Sequence, residues 1–157
     1  MKKLIFTATI ALTAFAAQAN DLVQHKNNKP ATFANADVQV INFWAAWCAP
    51  CRKEMPDMSK WYAKTGKKQK VEMVGIALDT QENVNKFLRE VPVKYPIWRY
   101  TGTNSRQMMK SFGNTVGGLP FTVVRAPKCG HEGRILGELT YEILDAAVKR
   151  AQTACKK

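Results

Sequence analysis

Trp47-Cys48-Ala49-Pro50-Cys51 is the stretch on which the reading of this chain turns. Just upstream, Val38 to Ala46 is an apolar run rich in Val, Ile and aromatic residues, the pattern of a buried strand. Downstream come Arg52, Lys53 and Glu54, then Met55, Met58, Trp61 and Tyr62 at helical spacing. The two cysteines therefore fall at a strand-to-helix junction, with Cys48 at the amino end of the helix. Unpaired backbone N–H groups and the helix macrodipole favour negative charge there. A thiolate in that position is stabilised and its pKa falls below that of a free cysteine. Cys51, one turn further in, is placed to displace whatever Cys48 has captured. This is the equipment of thiol–disulfide exchange.

Outward from this junction, strand and helix alternate. Asn20 to Ala36 is polar and irregular, with one short strand expected near Ala31–Phe33. Val38 to Trp44 is a central strand, apolar enough to be covered on both faces. A helix from about Cys48 to Lys64 carries Pro56, which should bend it. Val71 to Leu78 reads as a second buried strand and Gln81 to Val91 as an amphipathic helix that Pro92 stops. A short strand, Tyr95 to Tyr100, and a helix, Ser105 to Phe112, follow. The strand Phe121 to Arg125, a turn from Ala126 to Gly133 and a returning strand, Arg134 to Leu139, form a hairpin. Thr140 is the expected N-cap of a last helix, Tyr141 to Ala154. The pattern predicts an α/β fold with a mixed sheet between helices.

The chain opens with Met1-Lys2-Lys3, an apolar run from Leu4 to Ala17 and a small-x-small site, Ala17-Gln18-Ala19, the layout of a secretory signal peptide. About fourteen apolar residues are few for a membrane span of roughly 20, so cleavage after Ala19 is expected, leaving one domain from Asn20 to Lys157. A retained membrane anchor is the alternative. The formal charge of the 157 residues is +12, and only Lys2 and Lys3 of it lie in the leader. No nucleic-acid motif accompanies this charge, and no nucleic-acid partner is expected. It reads first as a solvated surface and second as an attraction to membranes or acidic partners.

Four cysteines in an exported chain are expected to be oxidised or to work as redox groups. The two-residue spacing favours Cys48 with Cys51, which leaves Cys129 and Cys155 for each other. A metal site on Cys48 and Cys51 would need two further ligands, and no second close-spaced Cys or His pair exists. No metal or other cofactor is expected. His131 beside Cys129 and the pair Met108 and Met109 suggest ligands only weakly, because one helix's apolar stripe accounts for the methionines.

The run Asn42-Phe43-Trp44-Ala45-Ala46-Trp47-Cys48-Ala49-Pro50-Cys51, with Pro56 in the helix and Gly118-Leu119-Pro120 before a strand, resembles the thioredoxin superfamily. The nearer likeness is to its exported TlpA/ResA-like branch, over roughly Val38 to Ala147. That branch often has Asn where a plain thioredoxin has a buried Asp, as Asn42 does here. The stretch from Asp79 to Phe112 looks like the branch's strand-and-helix insert. The sequence around Arg125 to Gly133, with Cys129, and the short region before Val38 depart from the pattern.

The resemblance implies a periplasmic thiol–disulfide oxidoreductase with Cys48 as nucleophile and Cys51 as resolving thiol. It implies a cis bond at Pro120, leaving the Leu119 backbone free to pair with a substrate strand, and a docking role for Trp47. It also places the turn holding Cys129 against the tail of the last helix at Cys155, as a structural bridge. Asp79 is expected either to carry the proton of Cys51 or to cap the helix that starts at Gln81. Pro50 is shared with reducing thioredoxins, which lie near −270 mV against about −120 mV for DsbA. The implied partners are protein disulfides, met by a monomer, with a DsbD/CcdA-like membrane thiol reductant as electron donor. Cytochrome c maturation and copper-centre assembly are the implied pathways. A Cu(I) chaperone using the same thiolates and a disulfide-donating oxidase are the competing readings.

Overall fold

A computed structural model describes residues 21–156; the expected leader and its cleavage site lie outside these residues. Six strands form one sheet: β1 (Leu22–Gln24), β2 (Gln39–Trp44), β3 (Glu72–Ala77), β4 (Ile97–Tyr100), β5 (Phe121–Ala126) and β6 (His131–Leu136), in the order β1-β4-β3-β2-β5-β6. Four α-helices flank it: α1 (Ala49–Trp61), α2 (Gln81–Glu90), α3 (Ser105–Ser111) and α4 (Tyr141–Ala154). β2 pairs parallel with β3 and antiparallel with β5, so the sheet is mixed, as expected.

β2 is buried along its whole length because both of its faces are covered. Val40 and Trp44 pack with Met55, Met58 and Trp61 of α1, Phe87 of α2 and Leu144 of α4. Ile41 and Phe43 face the other way, with Trp98, Phe121 and Met109 of α3. Period-two alternation puts Asn42 on the α1 side with Val40 and Trp44. Trp44 stacks on Phe87 with ring centroids 4.7 Å apart, which holds α2 against the end of β2. Beyond Trp61, α1 widens into a π-helical turn, Tyr62–Gly66.

The structure moves two expected elements. The first strand is Leu22–Gln24, not Ala31–Phe33: Leu22 pairs with Tyr100, and Asn28, with φ of 57°, turns the chain back so that the Ala31 amide donates to the Leu22 carbonyl. Pairing of this segment with β1 is a single bridge, Val23 with Pro30, and the apolar side chains of Ala31 and Phe33 pack beneath the sheet. The last strand is His131–Leu136, not Arg134–Leu139. The turn before it is tight, closing at Gly130 with φ of 65°, and Gly137, with φ of 105°, leads the chain out of the sheet. Leu139 then enters the core instead of extending the strand. Thr140 caps α4 as expected, its hydroxyl accepting from the Ile143 amide at 3.3 Å.

Strand directions give the molecule two ends. β2 delivers the chain to Cys48, and the Phe43–Phe121 pairing sets Pro120 beside that end. At the other end Cys129, after β5, is bonded to Cys155, the C-cap of α4 (Cα–Cα 5.2 Å).

Candidate active site

Cys48 is the N-cap of α1, with extended backbone (φ −83°, ψ 102°), and its sulfur accepts from the Cys51 amide at 3.3 Å. Ala49 and Pro50 open the helix; Pro50 has no N–H to leave unpaired and its fixed φ suits a first turn. Cys48 and Cys51 are joined by a disulfide with Cα atoms 5.3 Å apart. Helix rotation turns Cys51 fully into the core, whereas Cys48 retains 4% exposure. Cys48 is thus far more enclosed than a freely accessible nucleophile, and of the two residues only Cys48 offers any surface to a partner in this oxidised form.

Glu54 follows Cys51 by three residues and lies on the same buried face of α1, 1% exposed. Its carboxylate is held on both sides: Oε1 accepts from Asn42 Nδ2 at 2.7 Å and Oε2 from the Leu139 amide at 2.8 Å. Burial pushes this carboxyl up to about 7 against the downward pull of the Leu139 and Asn42 donors, and Glu138 adds a smaller upward push. Asn42 also donates to Thr122 Oγ1 at 3.0 Å, its partner across the β2–β5 ladder. An amide at position 42 supplies the N–H that a carboxylate there would lack. A buried group titrating near neutrality beside a cystine can take or give a proton under ordinary conditions.

The other expected residues gather round the same end of the sheet. Trp47 is 74% exposed. The Leu119–Pro120 peptide bond is cis, and the Pro120 carbonyl accepts from the Gly137 amide at 2.9 Å. Asp79 lies past the end of β3. Its Oδ2 accepts from the Ala46 amide at 3.0 Å, while Oδ1 accepts from the Thr80 amide at 2.8 Å and Asn83 Nδ2 at 2.7 Å. Asp79 therefore straps the segment before Cys48 to α2. It is not the cap: Thr80 is, through a bond from the Asn83 amide at 3.2 Å. The threonine sits one residue nearer the helix, where its hydroxyl reaches the third N–H. A cleft of about 360 Å³ between α1 and α2 is lined by Trp47, Arg52, Asp79, Asn83 and Lys86 among others. Among the described residues no group of three His, Cys, Asp or Glu side chains is placed to hold a metal ion.

Residues 11–128 match the model of the AhpC/TSA family. The chain belongs to that family. Within it the fold is thioredoxin-like. A thioredoxin-related protein from Neisseria meningitidis serogroup B is 57% identical, with a TM-score of 0.80 over 84% of this chain and 98% of that one. A thiol:disulfide interchange protein of the thioredoxin family from Chlorobium tepidum is 29% identical, with a TM-score of 0.66 over 82% of this chain and 90% of that one. The thiol-disulfide oxidoreductase ResA of Oceanobacillus iheyensis is 33% identical over 68% of this chain and 53% of its own length. The chain spans little more than half the length of the curated relatives it matches.

Glu54 is the site residue that sequence reasoning missed. Grouped with Arg52 and Lys53 it looks like the polar start of a helix. The available signal was its phase: Cys51, Glu54, Met55 and Met58 share one helix face, so a carboxylate there is buried wherever that face is.

Proposed function

We propose that this chain reduces disulfide bonds in exported proteins as a thiol–disulfide oxidoreductase. The Cys48 thiolate attacks a partner's disulfide, bonding to one sulfur and releasing the other as thiolate. The Cys51 thiol gives up its proton, attacks Cys48 Sγ and frees the second partner sulfur. The partner gains two electrons and the enzyme is left with the Cys48–Cys51 disulfide. A further dithiol must then reduce it, and a DsbD/CcdA-like membrane protein is the kind of donor a periplasmic reductant needs. Glu54 is the group we assign to the Cys51 proton. Asp79 is placed to hold the Ala46–Cys48 segment rather than to carry that proton. Trp47, Leu119 and Pro120 are assigned to partner docking, with an extended partner segment pairing at Leu119.

The observation that carries this reading is the cystine at the N-cap of α1 with a buried, near-neutral carboxyl one turn beyond it. The names of the relatives, thiol-disulfide oxidoreductase and thiol:disulfide interchange protein, support it. The test is the reduction potential of the Cys48–Cys51 couple, measured together with reduction of a protein cystine by the reduced enzyme. A value nearer −270 than −120 mV is expected. A value near −120 mV would make it a disulfide donor. Negligible exchange, with tight Cu(I) binding lost in Cys48→Ser, would make it a copper chaperone.

A further inference from the structure

A dense cluster of lysines lies at the end away from Cys48. The turn joining α1 to β3 carries Lys64, Lys67, Lys68 and Lys70, all exposed, with no Asp or Glu between Trp61 and Val71. Gln152 Nε2 of α4 donates to Gln69 Oε1 at 3.0 Å, which brings the tail of α4 against this turn. A cleft of about 380 Å³ there is walled by Gln69, Lys128, Gln152 and Lys156. The neighbouring carboxylates are already engaged. Asp37 pairs with Lys128 at 2.8 Å, and Glu72 accepts from Gln39 Nε2 and the Ala34 amide. Among the described residues Lys64, Lys67, Lys68, Lys70 and Lys156 have no ion-pair partner.

Lysines crowded in this way repel one another, and the exchange chemistry at the opposite end has no use for them. The large apolar side chains that are exposed lie elsewhere. Trp47 precedes Cys48, Val116 precedes the cis-proline, Leu136 pairs with Phe121 next to that proline, and Ile143 is in the first turn of α4. Protein interfaces favour aromatic, Met and Arg anchors and are poor in Lys. A lysine-rich end without an apolar anchor suits a diffuse anionic surface, which attracts each lysine without requiring shape complementarity.

We propose that this basic end is a docking surface for an anionic phospholipid bilayer. Bound in this way, the protein turns Cys48 and Trp47 away from the lipid, toward partners. The proposal does not depend on the direction of exchange or on Glu54.

The test mixes the purified chain with phosphatidylcholine vesicles made with and without phosphatidylglycerol, at about 0.1 M salt, and reads the bound fraction by sedimentation. Neutral vesicles subtract any partitioning through the apolar Leu4–Ala17 run, and the charge of Lys2 and Lys3 is the same in the parent chain and in the variant below. We expect a clear excess of binding to the anionic vesicles. Lys64→Gln, Lys67→Gln and Lys68→Gln combined should lower that excess on the order of a hundredfold. Disulfide exchange by the triple variant should be unchanged, which shows that it is folded. Equal binding to both vesicle types, no binding to either, or an excess unaffected by the substitutions overturns the proposal. Those outcomes would leave the lysines to an acidic protein partner or to solubility alone.

Discussion

Cys48–Cys51 and Cys129–Cys155 sit at opposite ends of one molecule, and they differ in a way that exposure does not rank. The first closes a sequence separation of 3 and is almost sealed, with Cys48 at 4% and Cys51 at 0%. The second closes a separation of 26, and both of its residues are exposed. Judged by access alone, the second would be the reactive pair. Electrostatics gives the opposite ranking. Cys48 caps the positive end of a helix and has a buried carboxyl within a turn of its partner; Cys155 caps the negative end of α4, where a thiolate is disfavoured. Loop length separates them again: a bond at a sequence separation of 3 restrains little of the unfolded chain, whereas one at 26 restrains a great deal. Under the proposed function, reactivity belongs to the local field, and stabilisation to the length of chain enclosed.

The largest expected effect breaks this comparison outright. Cys48→Ser should reduce exchange with a protein cystine to the uncatalysed background, while Cys129→Ser leaves the rate nearly unchanged and lowers stability by roughly 3 kcal/mol. Exchange assays and denaturant unfolding of both variants under oxidising conditions check the pair. If Cys129→Ser also abolished exchange, the division of labour would be wrong.

Glu54→Gln sharpens the comparison at the Cys48 end. The folded protein holds this carboxyl near 7, against an ordinary value of 4.5. Its neutral form therefore favours the fold: the contribution is complete below about 4.5 and is lost as pH rises through about 7. Across that window the change is on the order of 3 kcal/mol. The glutamine variant should remove this slope from stability measured against pH, and should slow resolution of the mixed disulfide by about a hundredfold.

Asp79→Ala is expected to do less, costing about 1 kcal/mol through the lost bonds to Ala46, Thr80 and Asn83. Exchange should slow less than in Glu54→Gln, and rapid-quench trapping of the mixed disulfide compares the two. A larger defect at Asp79 would return the proton-carrying role to it. The smallest effect is expected at Trp47→Ala. With most of the side chain in solvent, stability should stay within about 0.5 kcal/mol, while KM for a protein cystine rises severalfold with kcat little changed.

The division between what was legible in the sequence and what was not follows interaction range. The central strand, the helix after Cys48, the amphipathic phase of α2 and the Thr140 cap rest on residues within a turn or a strand of one another, so they can be read locally. β1 and β6 were displaced because their limits depend on long-range pairing and on Gly130 and Gly137 adopting positive φ. Whether Asp79 caps α2 stayed open in the sequence, because Asp79 and the neighbouring Thr80 can both cap a helix, and the chain's path gives the cap to Thr80.

The sequence by itself determined where a cystine meets a helix tip, since two residues between cysteines and an apolar run before them leave little geometric freedom. Only the tertiary structure decided that Glu54 is buried and near neutral. Its two donors come from Asn42 and from Leu139, 85 residues away, and desolvation depends on elements the local sequence does not name. The same holds for the Asp79 strap to Ala46 and for the lysines gathered by the α1–β3 turn and the end of α4. A charge acquires its energy from what surrounds it, and those surroundings exist only once the chain has folded.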